Sequence, residues 1–271
     1  MQTSVGDILA IRADNPGPLT LTGTNSWVVG RNPAWLVDPG PALETHLHEL
    51  VGELERRGGL GGLALTHDHT DHAEAVPAIR ARFPGALLAA ARGDVDVVLG
   101  ESTRFGPFEA VRTPGHAPDH VAFVVGTACL TGDAVLGAGS VFIAPDPGAL
   151  AAYLTGLERL RARDLRLLCP GHGPPVEDPR AKLTEYIEHR LQREQRLVDG
   201  LRRGARTIGE LLDAGWSDVG EPLRPLATVT LAAHLDKLAD EGRLPGGVER
   251  PGSVPLKPPP PVGAGPASSP R

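Results

Sequence analysis

The sequence is short of aromatics, cysteine and lysine, and each shortage narrows what the chain can be. Aromatic residues make up 4% of 271 positions, too few for the stacking platform that single-strand nucleic-acid binders usually interleave with basic side chains. The two cysteines, Cys129 and Cys169, lie far apart in apolar surroundings, so no disulfide framework is expected and a reducing cytoplasm is the natural compartment. Lysine occurs only at 182, 237 and 257, and the net charge is -6. That balance argues against a globally basic nucleic-acid binder but leaves room for a local basic groove. No run approaches 18 consecutive apolar residues, so no membrane span is expected. The opening stretch MQTSVGDILAIRADNPGP has no basic region followed by an apolar one, so no export signal is expected either.

What is present is an ordinary apolar fraction, 41%, enough for one large domain with a small appendage. Residues 1–179 alternate short β-like runs with helical stretches. NSWVVG and AWLVDPG flank Arg31-Asn32-Pro33, a hairpin signal. Leu43, Leu47, Leu50 and Leu54 then mark a helical face that stops at Gly58-Gly59. LALT, ALLAA, FEAVRT, VAFVVG, ACLTGD and LRLLCPGHG read as further strands, and 73–83 and 149–163 as helices. This pattern predicts a layered α/β domain with a mixed sheet. Residues 180–245 have a different texture: a long helix with Leu183, Ile187, Leu191, Val198 and Leu201 on its apolar side, a short helix capped by Thr207 with Glu210 three residues on, and a third over about 228–241. Gly242-Arg243-Leu244 could open a small wing, making this a winged-helix-like domain. From 245 onward nine of 27 residues are proline, and residues 246–271 are expected to be a disordered tail.

The densest chemistry is in LALTHDHTDHAEA. His67, His69, Asp71 and His72 follow a predicted strand, and imidazole and carboxylate are ligands that Zn²⁺ and its first-row neighbours accept. The spacing lets His67 and His69 point one way and Asp71 and His72 another, so one cluster can serve two metals. Later strand ends offer His116 in TPGHAPDH, Asp133 in TGD and His172 in PGHG, each beside small residues or prolines that hold a ligand rigidly.

This set, in this order, resembles the metallo-β-lactamase fold superfamily. The resemblance implies an αβ/βα sandwich with a dinuclear site at one edge: His67, His69 and His116 on the first metal, Asp71, His72 and His172 on the second, and Asp133 bridging. NPGPLTLTGTNSWVVG, TEYIEHRLQRE and the helical appendage extend the likeness to the beta-lactamase-like protein 2 branch, over roughly residues 14 to 245. The branch implies a hydrolase, with endoribonuclease activity on single-stranded RNA in some members and thioester hydrolysis in related ones. Ala117 stands where threonine is usual, and Ala73-Glu74-Ala75 replaces a more glycine-rich version; neither is a ligand.

Two Zn²⁺ ions, with iron or manganese as alternatives, would supply hydroxide near neutral pH and stabilise the developing oxyanion. Asp71 could orient the attacking water. His120 is a candidate proton donor to the leaving group, with a hydrogen-bonded structural histidine as the alternative. His189 and Arg190 are candidate substrate contacts, Arg190 suiting a phosphate or carboxylate, against a plain solvated helix face. His46, His48 and His234 have no constellation and are expected at the surface. The leading expectation is phosphodiester cleavage in single-stranded RNA, resting partly on eight basic against four acidic residues in 180–206. The alternative is a thioester or ester hydrolase, glyoxalase-II-like or acyl-carrier thioesterase-like. A β-lactamase is disfavoured by the missing export signal, by Asp133 where the commonest zinc lactamases place cysteine, and by the lack of lysine before 182. A metal-sensing DNA-binding regulator is disfavoured because its reading helix would carry His234 and Lys237 against Asp236, Asp240 and Glu241. The appendage is expected to serve as cleft wall, lid or homodimer contact, with no membrane and no sequence-specific DNA as partner.

Overall fold

A computed structural model of the chain describes residues 7–252. Two sheets lie face to face with helices outside each. The first has six strands in sequential order: β1 (Ile8–Arg12), β2 (Asn25–Val29), β3 (Ala34–Val37), β4 (Leu60–Ala64), β5 (Leu87–Ala90) and β6 (Val97–Val98). β1 to β3 form an antiparallel meander, and β3 to β6 run parallel. Between them come α1 (Glu44–Arg56), α2 (Thr70–Ala73) and α3 (Val76–Arg82), the last two separated where one helix over 73–83 was expected. The second sheet contains β7 (Arg104–Phe105), β8 (Phe108–Arg112), β9 (Val121–Val125), β10 (Ala128–Gly132) and β11 (Leu167–Pro170), antiparallel except for the β10–β11 pair. Helix α4 (Ala149–Arg161) connects β10 to β11 across the outer face.

Burial follows the strand period. In β9, Val121 and Phe123 pack between the sheets with Trp27, Val37 and Leu130, while Ala122 and Val124 point outward against the layer holding Leu150, Tyr153 and Leu157. Both faces of the strand are covered, which is why VAFVV is apolar throughout. On the other side, Leu36 and Leu63 pack against Leu50 and Leu54 of α1 and Ile79 of α3. The result is an α/β/β/α sandwich. Cys169 belongs to the inter-sheet core and Cys129 to the outer layer, both reduced and buried.

Three further helices follow: α5 (Pro179–Arg202), α6 (Ile208–Gly215) and α7 (Arg224–Asp240). Asp178 accepts from the Ala181 amide at the start of α5, and Thr207 with Glu210 makes the expected capping box on α6. α7 begins one turn earlier than its apolar pattern suggested, with proline in its first turn. No strand follows α7 among the described residues, so the wing expected at Gly242-Arg243-Leu244 is not seen. α7 buries Ala227, Val229, Leu231, His234, Leu235 and Leu238. Of the expected tail, residues 253–271 lie outside the described residues.

Candidate metal centre

Parallel neighbours end side by side, so their carboxyl ends deliver loops to one place. β3 and β4 deliver Asp38 and His67, and β10 and β11 deliver Asp133 and His172. The sheets are stitched together there. The Asn25 amide nitrogen donates to the Gly171 carbonyl (2.7 Å), and its side chain donates to the carbonyls of Pro170 (3.0 Å) and Gly173 (2.8 Å).

All seven predicted ligands meet at this edge. Three overlapping groups each hold their donor atoms within 4.8 Å of one another and could hold a metal ion: His67, His69, His116; His67, His72, Asp133; and Asp71, His72, His172. His116 Nε2 lies 3.0 Å from His69 Nδ1 and 3.4 Å from Asp133 Oδ2. His172 Nε2 lies 3.2 Å from Asp71 Oδ2 and 3.4 Å from Asp133 Oδ2. Asp133 thus stands between the two halves.

Outer hydrogen bonds fix which nitrogen faces inward. Asp38 Oδ1 accepts from the Thr66 amide (2.7 Å), and Oδ2 accepts from Thr66 Oγ1 (2.7 Å) and His72 Nδ1 (2.9 Å). Because Thr66 gives its only proton to Asp38, its oxygen must accept from His67 Nδ1 at 2.9 Å. His67 and His72 therefore both carry the proton on Nδ1 and turn an Nε2 lone pair inward. His67 Nε2 is buried without a hydrogen-bond partner, as is Asp133 Oδ1. Two orphaned buried acceptors are costly in an apolar interior and natural around a cation. His116 and His172 are anchored the same way, through Nδ1 to the carbonyls of Phe142 (3.4 Å) and Gly23 (3.3 Å).

The electrostatics agree. Burial pushes His67 well below its ordinary pKa, and His116 down to about 4, which keeps both neutral as ligands must be. Burial would also lower His72 and His172, but Asp133 outweighs it, with Asp38 and Asp71 at His72 and Asp71 at His172. They rise to about 9 and about 10. Asp133 is held well below the usual carboxylate range because His172 and His72 outweigh its burial. A field that gathers protons on two buried imidazoles is one that a divalent cation can occupy in their place. The backbone leaves room for it: a Cβ on Gly171 would lie 2.6 Å from Asp133 Oδ1 and 2.7 Å from His72 Cε1.

Other candidates fall elsewhere. His120 is fully buried; its Nδ1 lies 2.8 Å from Thr113 Oγ1 and its Nε2 accepts from the Asp133 amide at 3.0 Å. Both nitrogens are engaged, so the proton-donor role is corrected to that of a strut beneath Asp133. Arg190 is 2% exposed and does not face a cleft; its guanidinium donates to the Val141 carbonyl and stacks over Tyr153. The expectation of a substrate contact fails there because α5 is covered on that side. His189 lines a groove of about 910 Å³ with Gly139, Ser140 and Glu188, and none of the seven cluster residues lines it. His46 and His234 are buried rather than at the surface. His46 Nε2 donates to the Pro39 carbonyl (3.1 Å) and supports the turn carrying Asp38. Asp38 itself was missed. The available signal was an aspartate closing an apolar strand before Pro-Gly, at the same edge as the histidines.

No family model matches the chain. Among curated proteins it is 31% identical over 269 residues to an atrochrysone carboxyl ACP thioesterase of Aspergillus chevalieri, covering 90% of this chain and 85% of that one. It is 28% identical over 266 residues to the beta-lactamase-like protein 2 homolog of Drosophila melanogaster, covering 88% and 89%. Its fold matches a beta-lactamase domain protein from Burkholderia ambifaria with a TM-score of 0.74, at 19% identity and 89% coverage of each chain. With this sandwich and its His/Asp cluster, the chain belongs to the metallo-β-lactamase superfamily, among the lactamase-like proteins, and is a metal-dependent hydrolase.

Proposed function

We propose that the protein is a dinuclear zinc hydrolase of acyl thioesters, acting on an acyl group carried on a carrier protein or on coenzyme A. His67, His69 and His116 would hold one ion, Asp71, His72 and His172 the other, and Asp133 both. Bound there, the ions supply Lewis-acid charge and lower the pKa of a water. The half-buried Asp71 would orient such a water through its second carboxylate oxygen, while His120 holds the Asp133 backbone in register. A thioester needs no general acid to protonate its leaving group, since a thiolate departs readily. That suits a site whose one further histidine has both nitrogens engaged.

The observation that carries the choice of substrate is the inward turn of Arg190 and Arg193 on α5. Arg190 and Arg193 are buried, Arg193 and Arg196 pair with Asp218, and Arg202 pairs with Asp199. Of the basic excess that motivated RNA cleavage, Arg180 and Arg203 stay exposed without an ion pair among the described residues, so few free cations remain for the phosphate binding that RNA would require. Apolar side chains stand near the metal cluster instead: the Phe142 ring lies 4.5 Å from that of His116, and Leu21 packs beside Gly173. The thioesterase named among the relatives supports the same reading.

The test is turnover by the zinc-loaded protein of an acyl thioester beside a labelled single-stranded RNA at low salt, with an Asp71→Ala/His72→Ala control. Thioester cleavage lost in the control, without RNA cleavage, is expected. RNA cleavage lost in the control, with thioesters untouched, would replace this reading with a ribonuclease.

A further inference from the structure

The loop between β10 and α4 carries Phe142, whose carbonyl and ring both contact His116. Its neighbours in the loop are held from the C-terminal helices. Arg190 of α5 donates to the carbonyl of Val141, immediately before Phe142. Thr230 Oγ1 of α7 accepts from the amide of Ile143, immediately after it, at 3.3 Å. Tyr186 of α5 spans the approach, its hydroxyl accepting from the Leu136 amide (3.1 Å) and donating to the Gly139 carbonyl (2.9 Å). The residue that orients His116 is thus pinned on both sides by side chains from outside the sandwich.

Arg190 reaches His116 by a second route. Its guanidinium carbon lies 5.7 Å from the centroid of the Tyr153 ring. Tyr153 is fully buried and donates to the Ala134 carbonyl at 2.6 Å. It fills the space over Gly115, where an added Cβ would stand 2.5 Å from Tyr153 Cβ. Gly115 precedes His116, and its carbonyl accepts from the Ala144 amide at 2.8 Å, closing the circuit back to the loop. A buried guanidinium with no carboxylate in ion-pair reach among the described residues carries a desolvation cost. Here a carbonyl and an aromatic face meet it, and both belong to the support of one ligand.

We propose that α5 and α7 act as a clamp that sets the orientation of His116, with Arg190 as its principal positioning residue. Arg190 and Thr230 would then tune the three-histidine half of the centre, whereas Tyr186 holds the 136–139 stretch, whose Gly137 amide donates to the His172 carbonyl at 2.9 Å. This requires the ligand set but not the identity of the ester cleaved.

The test is metal binding to full-length Arg190→Met, read by chelator competition for zinc and by the absorption of the Co²⁺-substituted protein. Removing an outer partner of a ligand costs about 10- to 100-fold in metal affinity. That loss is expected for one of the two ions, with an altered cobalt spectrum and the other ion bound as in wild type. Thr230→Val keeps the branched shape and removes only the hydroxyl that accepts from the Ile143 amide, so it should move the same site by a smaller factor even if Arg190→Met folds poorly. Arg193→Met is the control, because Arg193 bonds His189, Gly215 and Asp218 and not the loop. Its cost should fall on stability alone. Wild-type affinities and spectrum in folded Arg190→Met and Thr230→Val would overturn the clamp. So would an equal loss in Arg193→Met, which would mark a general destabilisation.

Discussion

Asp38→Asn should disable the proposed metal centre without touching any of its seven proposed ligands. The substitution is nearly isosteric, and asparagine tolerates the left-handed backbone that Asp38 adopts (φ 52°), so the turn itself should survive. The change lies in the proton inventory. Asp38 accepts three hydrogen bonds, two of them at Oδ2. With the amide oxygen kept on the Thr66 N–H, the NH₂ group faces Thr66 Oγ1 and His72 Nδ1, both of which had been donors. His72 can accept from it only by moving its own proton to Nε2, which removes the inward lone pair. Thr66 must now accept from the amide and turn its proton toward His67 Nδ1, so His67 suffers the same exchange. Two of the proposed ligands, one in each half of the centre, become donors where acceptors are needed. At about 10- to 100-fold per outer partner, a combined loss near 100-fold is expected, or about 2.7 kcal/mol at 1.36 kcal/mol per decade. Chelator competition on the purified variant measures it, and circular dichroism checks that the fold is kept. Two zinc ions bound with wild-type affinity by folded Asp38→Asn would refute the tautomer argument.

Two further perturbations probe packing and protonation. Gly171→Ala adds a Cβ within 2.7 Å of both Asp133 and His72, while the strand-end backbone itself admits alanine. Bound zinc, measured by elemental analysis after gel filtration, should fall at least tenfold in affinity with little change in folding; unchanged stoichiometry and affinity would show the pair can step aside. His234 is buried against Trp216 among Arg190, Lys237 and Arg193, and its pKa is lowered to about 3, by burial first and then by those cations. The unfolded chain takes up that proton near pH 6.5 while the folded one does not. Its contribution is therefore whole above pH 6.5 and is lost as the pH falls toward 3, at about 1.4 kcal/mol per unit. His234→Leu should remove about 2 kcal/mol of the drop in urea-unfolding stability between pH 7 and pH 5. An identical drop in both proteins would show that His234 does not titrate as its surroundings dictate.

Much of the molecule is legible from the chain alone. The seven residues of the metal cluster stand in short motifs whose residue types have few other uses at that density, and the structure brings them within reach of one another. The apolar runs become strands because both faces of each sheet are covered, and most lie where the sequence put them. β1, β6 and β7 went unread; the last two are two-residue edge strands, too short to show a period.

What tertiary structure alone decides is which polar residues end inside. Asp38 is one aspartate among many until β3 and β4 lie parallel and set it against Thr66 and His72. His120 is a plausible proton donor until its two nitrogens are seen bonded to Thr113 and the Asp133 amide. The arginines of α5 are the clearest case. The helix is 24 residues long and serves two cores, Leu183, Tyr186 and Ile187 facing the sandwich and Leu197, Val198 and Leu201 facing α6 and α7. Between the two, its buried face rotates and takes Arg190, Arg193 and Glu194 inside. A sequence records which side chains prefer water. It does not record that neighbouring helices close over one stretch of α5 from several sides, because that depends on contacts between segments far apart in the chain.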